Sequence, residues 1–273
     1  MKLLKRLVRV VLLPVLPNEG YGPWDTLNPY ELWWLVVLIA GIGFVGYFAI
    51  KTLGPSLGSM TTGLLGGLAS STAVTLNFSR LARRNPSTQS LLAAGVVAAA
   101  ATMFPRVLLE VSVVHADLLT RLWVPVGVMM LISYASVPWL WRSGKKSVQT
   151  QPDIALPNPF ELKPALQFGA LLVAIMLLSK AFQVWLGETG VYLLALASGI
   201  SDVDAITLSL ARLSRESLDM DVAARAIVIA SITNTLTKSA LVIAIAGGTM
   251  AWRVGIVFAL TALGGLTAIF ALS

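Results

Sequence analysis

Eight stretches of about twenty residues, nearly free of charge, follow one another at about 31–52, 57–79, 89–114, 121–141, 162–186, 190–211, 222–247 and 252–272. Each is close to the length a helix needs to cross a bilayer once. The expected fold is therefore all-α, a polytopic membrane helix bundle of about eight spans. Composition agrees: 12% of the 273 residues are charged, against about 25% in a soluble domain. Most of the eight tryptophans stand at the ends of these runs, where interfacial belts form.

The runs come in two sets. Gly199-Ile-Ser-Asp-Val-Asp-Ala-Ile-Thr-Leu-Ser-Leu-Ala-Arg212 has an earlier counterpart, Gly67-Leu-Ala-Ser-Ser-Thr-Ala-Val-Thr-Leu-Asn-Phe-Ser-Arg80, at an offset of 132. Gly67, Ala73, Thr75, Leu76 and Arg80 fall on Gly199, Ala205, Thr207, Leu208 and Arg212. Asn28-Pro-Tyr-Glu-Leu32 opens the first set and Asn158-Pro-Phe-Glu-Leu162 the second. The domain reading is a basic arm and loop over 1–27, a first membrane repeat over 28–141, a linker over 142–157 and a second repeat over 158–273.

Lysine and arginine orient such a chain. With eight crossings, the arm, the Arg80/Arg83/Arg84 loop, the Arg142/Lys145/Lys146 linker and the Arg212/Arg215/Arg225 loop share one side. That side is cytoplasmic, both termini lie there, and the chain is a multi-pass protein of the cell inner membrane. Four spans per half is an even number, which predicts parallel repeats related by an axis along the membrane normal.

Charge inside the runs marks the candidate site, because an ionisable group in the bilayer costs a few kcal/mol and is tolerated mainly at cavities or beside partners. Asp202 and Asp204 stand in the sixth run, opposite Ser70 and Thr72 of the earlier copy. Around Ser70, Ser71 and Thr72 the second run is dense in glycine and serine, which allows close helix crossings or a break that offers backbone groups to a cavity. Asn234 and Lys238 share a helical stripe in the seventh run, and Arg106 falls on Lys238 at the same offset. Arg106 and Glu110 are one turn apart and can pair within their helix. Lys238 has no such acid, so Asp202 or Asp204, with a lean towards Asp204, is its expected partner.

Other chemistry has little footing. The chain has no cysteine and one histidine, His115, so any metal would have to rest on Asp202 and Asp204. No nucleophile–base arrangement and no nucleotide loop is present; an enzyme is not expected, nor a cofactor or nucleic acid. The net charge of +7 belongs to the membrane-flanking loops.

The phrases Gly66-Gly-Leu-Ala-Ser-Ser-Thr-Ala-Val-Thr75, Met103-Phe-Pro-Arg-Val107, Asp202-Val-Asp-Ala-Ile-Thr-Leu-Ser-Leu-Ala-Arg212 and Asn234-Thr-Leu-Thr-Lys238 together resemble the domain of unknown function family 4010. The resemblance runs from about Asn28 to near the end of the chain. It implies a multi-span bacterial or archaeal membrane protein whose domain often follows an MgtC/SapB-type membrane domain; those N-terminal spans are expected to be missing here. It implies no substrate.

The expected function is a transporter or channel for a small ion or solute, with a polar site between the repeats. Asp202 and Asp204 would bind a cation or proton. Thr207, Asn234, Lys238, Ser70, Ser71, Thr72, Thr75 and Arg106 would line or gate the site. The alternative is a membrane regulator or assembly partner without transport, related to the MgtC/SapB group. The expected partners are the lipid bilayer and the small ion or solute, and a homo-oligomer is left open.

Overall fold

A computed structural model describes residues 16–53, 59–144 and 162–271. The basic arm, Gly54 and Gly58, most of the linker with Lys145 and Lys146, and the second Asn-Pro-Phe-Glu signature lie outside the described residues. From Pro29 onward the described chain is almost all helix: α1 Pro29–Leu53, α2 Ser59–Arg84, α3 Gln89–Ala101, α4 Met103–Val114, α5 Leu119–Gly144, α6 Leu162–Ser201, α7 Asp204–Glu216, α8 Met220–Ile245 and α9 Gly248–Ala271. Local chemistry starts them. Asn28 Oδ1 accepts the backbone N–H of Tyr30 (3.0 Å) and Glu31 (3.2 Å) ahead of Pro29. Asp219 Oδ1 does the same for Asp221 and Val222 at the head of α8. Both are side-chain caps on otherwise orphaned donors.

Among the described residues six stretches, not eight, are long and apolar enough to cross a membrane: Pro29–Thr52, Pro86–Val114, Ala116–Ser143, Lys163–Ser201, Met220–Ile245 and Gly248–Ala271. The expected spans 57–79 and 190–211 are the two that differ, and the packing gives the reason.

The first is a hairpin. Ser70 leaves helical geometry (φ −166°, ψ 99°) in the middle of α2. Before it, Ser59 Oγ donates to Leu91 O (3.3 Å), Gly63 lies on Gly95, and Gly67 lies on Ala99. The constant spacing of 32 means that this arm runs parallel to α3. After the break Phe78 also reaches Gly95. In a straight helix Ser59 and Phe78 would be about 28 Å apart. They meet at one glycine, so the chain turns back at Ser70.

The second hairpin is made the same way. Helix α6 would be about 60 Å long if straight, but Gly187 has φ +61°, a conformation open to glycine. Gly190 then packs on Phe182 O, with no room for a Cβ. The arm 188–201 runs beside the first half of α8, with Gly199 against Ala230 and Thr233. After a break at Asp202 and Val203, α7 returns. Ser217 meets Lys180 Nζ (2.7 Å) and Gln183 Nε2 (3.2 Å), and Ser209 meets Ser179 (2.9 Å). Had the chain kept one direction from Glu188, Ser217 would lie about 40 Å away.

Each half thus contributes three long elements and one hairpin. The start of α1 lies where α7 ends: Arg212 pairs with Glu31 (2.8 Å) and donates to Thr26 O (2.7 Å). His115 meets Ser214 (2.7 Å) and Arg121 meets Asp221 (3.2 Å) at the same end. At the other end the start of α3 meets the start of α9, through Gln89 and Met250 (3.3 Å). Helix α1 begins at the first end and α6 at the second. This corrects the parallel repeats, which an even number of crossings required.

Helix α3 sits deepest, buried from Leu92 to Ala101 on every side. Its alanines and Gly95 let the surrounding backbones close in. Helices α5 and α9 pack antiparallel, with Ser133 to Thr261 at 3.0 Å and Gly265 on Met129.

Candidate functional site

The two hairpin tips fall at matching positions of the sequence, and each carries a side-chain cap. Ser70 Oγ accepts the N–H of Ala73 (3.2 Å) and Asp202 Oδ1 that of Asp204 (3.4 Å). Each caps a returning arm, and the two residues are 132 apart. Each tip therefore exposes the C-terminal carbonyls of one short helix and the N-terminal amides of another, partial charges of both signs. Ser70, Ser71, Thr72 and Asp202 are half-buried, whereas Asp204, Thr207, Asn234 and Lys238 are buried.

Arg106 connects the tips. It follows Pro105 just past the break between α3 and α4 at Thr102, whose hydroxyl donates to Ala99 O (2.7 Å). Its Nη1 lies 3.4 Å from Leu68 O of the first hairpin, and its Nη2 binds Asp204 Oδ2 of the second. Two expectations change here. Arg106 does not pair with Glu110 of its own helix, and Asp204 is the partner of Arg106 and not of Lys238.

Lys238 instead donates to Asn234 Oδ1, and Asn234 Nδ2 donates to Gly199 O (2.9 Å). This chain fixes the end of the second hairpin's first arm against α8. Among the described residues Lys238 has no ion pair; Asp202 and Asp204 are the acids that act on it across space. The matched threonines differ. Thr75 donates to Ser71 O (2.8 Å) within its own arm, while Thr207 Oγ1 is buried without a hydrogen bond. Among the described residues no group of three or more acid, histidine or cysteine side chains could hold a metal ion.

The residue that sequence reasoning missed is Glu110. It is fully buried, and neither carboxyl oxygen has a hydrogen-bond partner. The signal was present, since it is an acid inside an apolar run. The nearby arginine one turn away supplied an ordinary account of it.

The family model of the domain of unknown function DUF4010 matches residues 37–246, more than three quarters of the chain. The chain belongs to the DUF4010 family. A relative from Aquifex aeolicus (strain VF5), described as an uncharacterized protein, is 34% identical over 184 residues, covering 65% of this chain and 78% of its own. No solved structure matches. The DUF4010 region holds both hairpins, Arg106, Glu110, Asn234 and Lys238, and ends where α8 ends.

Proposed function

We propose that the protein is a transporter for a small ion or solute, built from two inverted repeats with a re-entrant hairpin in each. The observation that carries the reading is the meeting of two broken hairpins at one guanidinium, among charged side chains buried far from either end. Irregular backbone at membrane depth is tolerated where it lines a cavity or is buried in protein. Discontinuous helices at the interface of inverted repeats recur in secondary transporters, where half-helix ends and unwound carbonyls contact substrate and ions. Three crossings per half give the odd number that inversion requires. The half-buried tip residues Ser70, Ser71, Thr72 and Asp202 contact the transported species. Arg106, Asp204, Asn234 and Lys238 hold the tips in place.

The charges favour one orientation. Lys51, Arg80, Arg83, Arg84, Arg142, Lys163 and Arg253 belong to the end where α3 begins, with no acid there among the described residues. Among the described residues the other end has five basic ones, Arg121, Lys180, Arg212, Arg215 and Arg225, set among Asp25, Glu31, Asp117, Glu188, Glu216, Asp219 and Asp221. The positive-inside rule makes the basic end cytoplasmic, in a plasma-type membrane. Both ends of the described chain then face outward, the reverse of what eight crossings implied.

The test is flux from reconstituted vesicles, screened with several cations and anions and with a pH-sensitive dye. Movement of one species that Asp202→Asn abolishes without loss of folded protein supports the reading. Vesicles no leakier than protein-free ones to every species would favour a non-transporting regulator.

A further inference from the structure

Glu110 is fully buried on α4, and both of its oxygens lack a hydrogen-bond donor. Its surroundings follow from the register of α4 against α7. Arg106 meets Asp204 and His115 meets Ser214, at spacings of 98 and 99, so the helices run parallel. Glu110 is therefore level with Thr207 to Ser209, just past Asp204. Arg106 and Glu110, one turn apart, share the face turned to α7. Thr207 Oγ1, on the facing stripe of α7, is also buried and unpartnered. Three orphaned oxygens thus lie at one level, one turn past Arg106, whose Nε is also buried without a partner.

The charges facing Glu110 are few. Asp204, Arg106 and Asp202 are the charged groups that act on it. Helix α3 has no titratable side chain, and the arginines of α2 (80, 83 and 84) lie at the basic end. On α5, Arg121 is taken by Asp221. Arg106 gives Nη2 to Asp204 and Nη1 to Leu68 O, its Nε is buried without a partner, and no donor reaches the Glu110 oxygens. An ionised Glu110 in this arrangement would be a buried anion without a hydrogen bond, costing several kcal/mol.

We propose that Glu110 is the site of a bound proton, held as a neutral carboxylic acid between Thr207 and the Arg106–Asp204 pair, and that the proton is the coupling ion of the transport reaction. The carboxyl O–H donates to Asp204, and the hydroxyl of Thr207, which makes no hydrogen bond in this structure, is level with the other oxygen. When the second hairpin moves, Asp204 and Thr207 leave together. Glu110 then releases its proton to water as H⁺ and becomes a carboxylate, with Arg106 freed to pair with it one turn away. Binding reverses the step, one proton per cycle. The coupling half of this proposal rests on the transporter reading; the bound proton does not.

Infrared difference spectroscopy on the purified protein tests the proton directly. A carboxylic acid carbonyl band that shifts in D₂O is expected at neutral pH, absent from Glu110→Gln and displaced in Thr207→Val. Glu110→Gln keeps the shape of the neutral acid and folds if the proposal holds. If it does not fold, the band's displacement in Thr207→Val carries the test. A spectrum without that band, or one unchanged in these variants, overturns the site, and so does stabilisation by sodium in place of acid. Vesicles separate the two parts. Substrate flux that acidifies or alkalinises the lumen in the parent, but moves substrate without protons in Glu110→Gln, establishes coupling. The band without any flux would retain the proton site and overturn the transporter; flux without the band would do the opposite.

Discussion

Arg106 binds Asp204 across the two halves of the chain, from a helix 98 residues earlier. The same guanidinium touches Leu68 O of the first hairpin. One cation therefore sees both tips, and its loss should be felt in both. The pair also explains why the two aspartates, so close in sequence, are not equivalent. Asp204 is committed to structure, while Asp202 caps a helix, is less buried and has no ion pair among the described residues.

Asp204→Asn leaves Arg106 without its counter-charge and should cost about 3–5 kcal/mol, the usual penalty for breaking a buried pair. Asp202→Asn should unfold within a degree or two of the parent yet lose flux. Arg106→Gln combined with Asp204→Asn should regain part of the loss, since no unpaired charge remains. Thermal unfolding of the three variants decides it, and equal losses for both aspartates would contradict the assignment.

Asn234 makes two bonds, to Lys238 and to Gly199 O. Asn234→Ala orphans both partners and should destabilise by about 1–3 kcal/mol per unsatisfied group. Lys238→Met keeps the volume and removes a buried cation but leaves Asn234 Oδ1 without a donor, so it should cost about 1–3 kcal/mol, less than Asn234→Ala, which orphans two groups. The ordering of midpoints in one denaturation series checks this, and a Lys238→Met variant weaker than Asn234→Ala would refute it.

The hairpins make a sharp topological prediction, helped by a chain free of cysteine. Single cysteines at Thr52 and Asn85 should react with an impermeant reagent from the same side, although a straight α2 would separate them. Cysteines at Glu188 and Ser217 should both react from the opposite side. With the basic end inside, only the second pair is labelled in intact cells. Opposite-sided labelling within a pair would turn that hairpin into a crossing, and in both pairs would restore eight.

Close approach should show in the glycines. An added Cβ on Gly67 would lie 2.5 Å from Ala99 O, and one on Gly199 would lie 2.5 Å from Ala230 O. Gly67→Ala and Gly199→Ala should each lose about 1–3 kcal/mol through overpacking, and leucine at either position should prevent assembly. Gly41 and Gly127 have nothing within 4 Å, and alanine there should be tolerated. Yields and thermal midpoints of the four alanine variants compare the two classes.

Much of this protein is decided by local chemistry and is legible without tertiary information. Apolar runs at bilayer length require helices, and Asn28 and Asp219 mark where two of them start. The offset of 132 picks out Gly67 with Gly199, Ser70 with Asp202, and Arg106 with Lys238. Placing the candidate site at those positions needed no more than the cost of charge in an apolar run.

What the sequence left open was direction. An apolar run of twenty-odd residues reads the same whether it crosses once or turns back halfway, because hydropathy has no sign along the chain. Only the packing of Gly63 on Gly95, with Phe78 arriving at the same glycine, reverses α2; only Lys180 and Gln183 meeting Ser217 reverse α7. Those reversals change the crossings per half from four to three and with them the relation of the repeats. They also deliver Asp204 to Arg106 in place of the neighbour one turn away. Helix spacing can propose a partner within a helix, but a contact between helices 98 residues apart depends on how two hairpins pack.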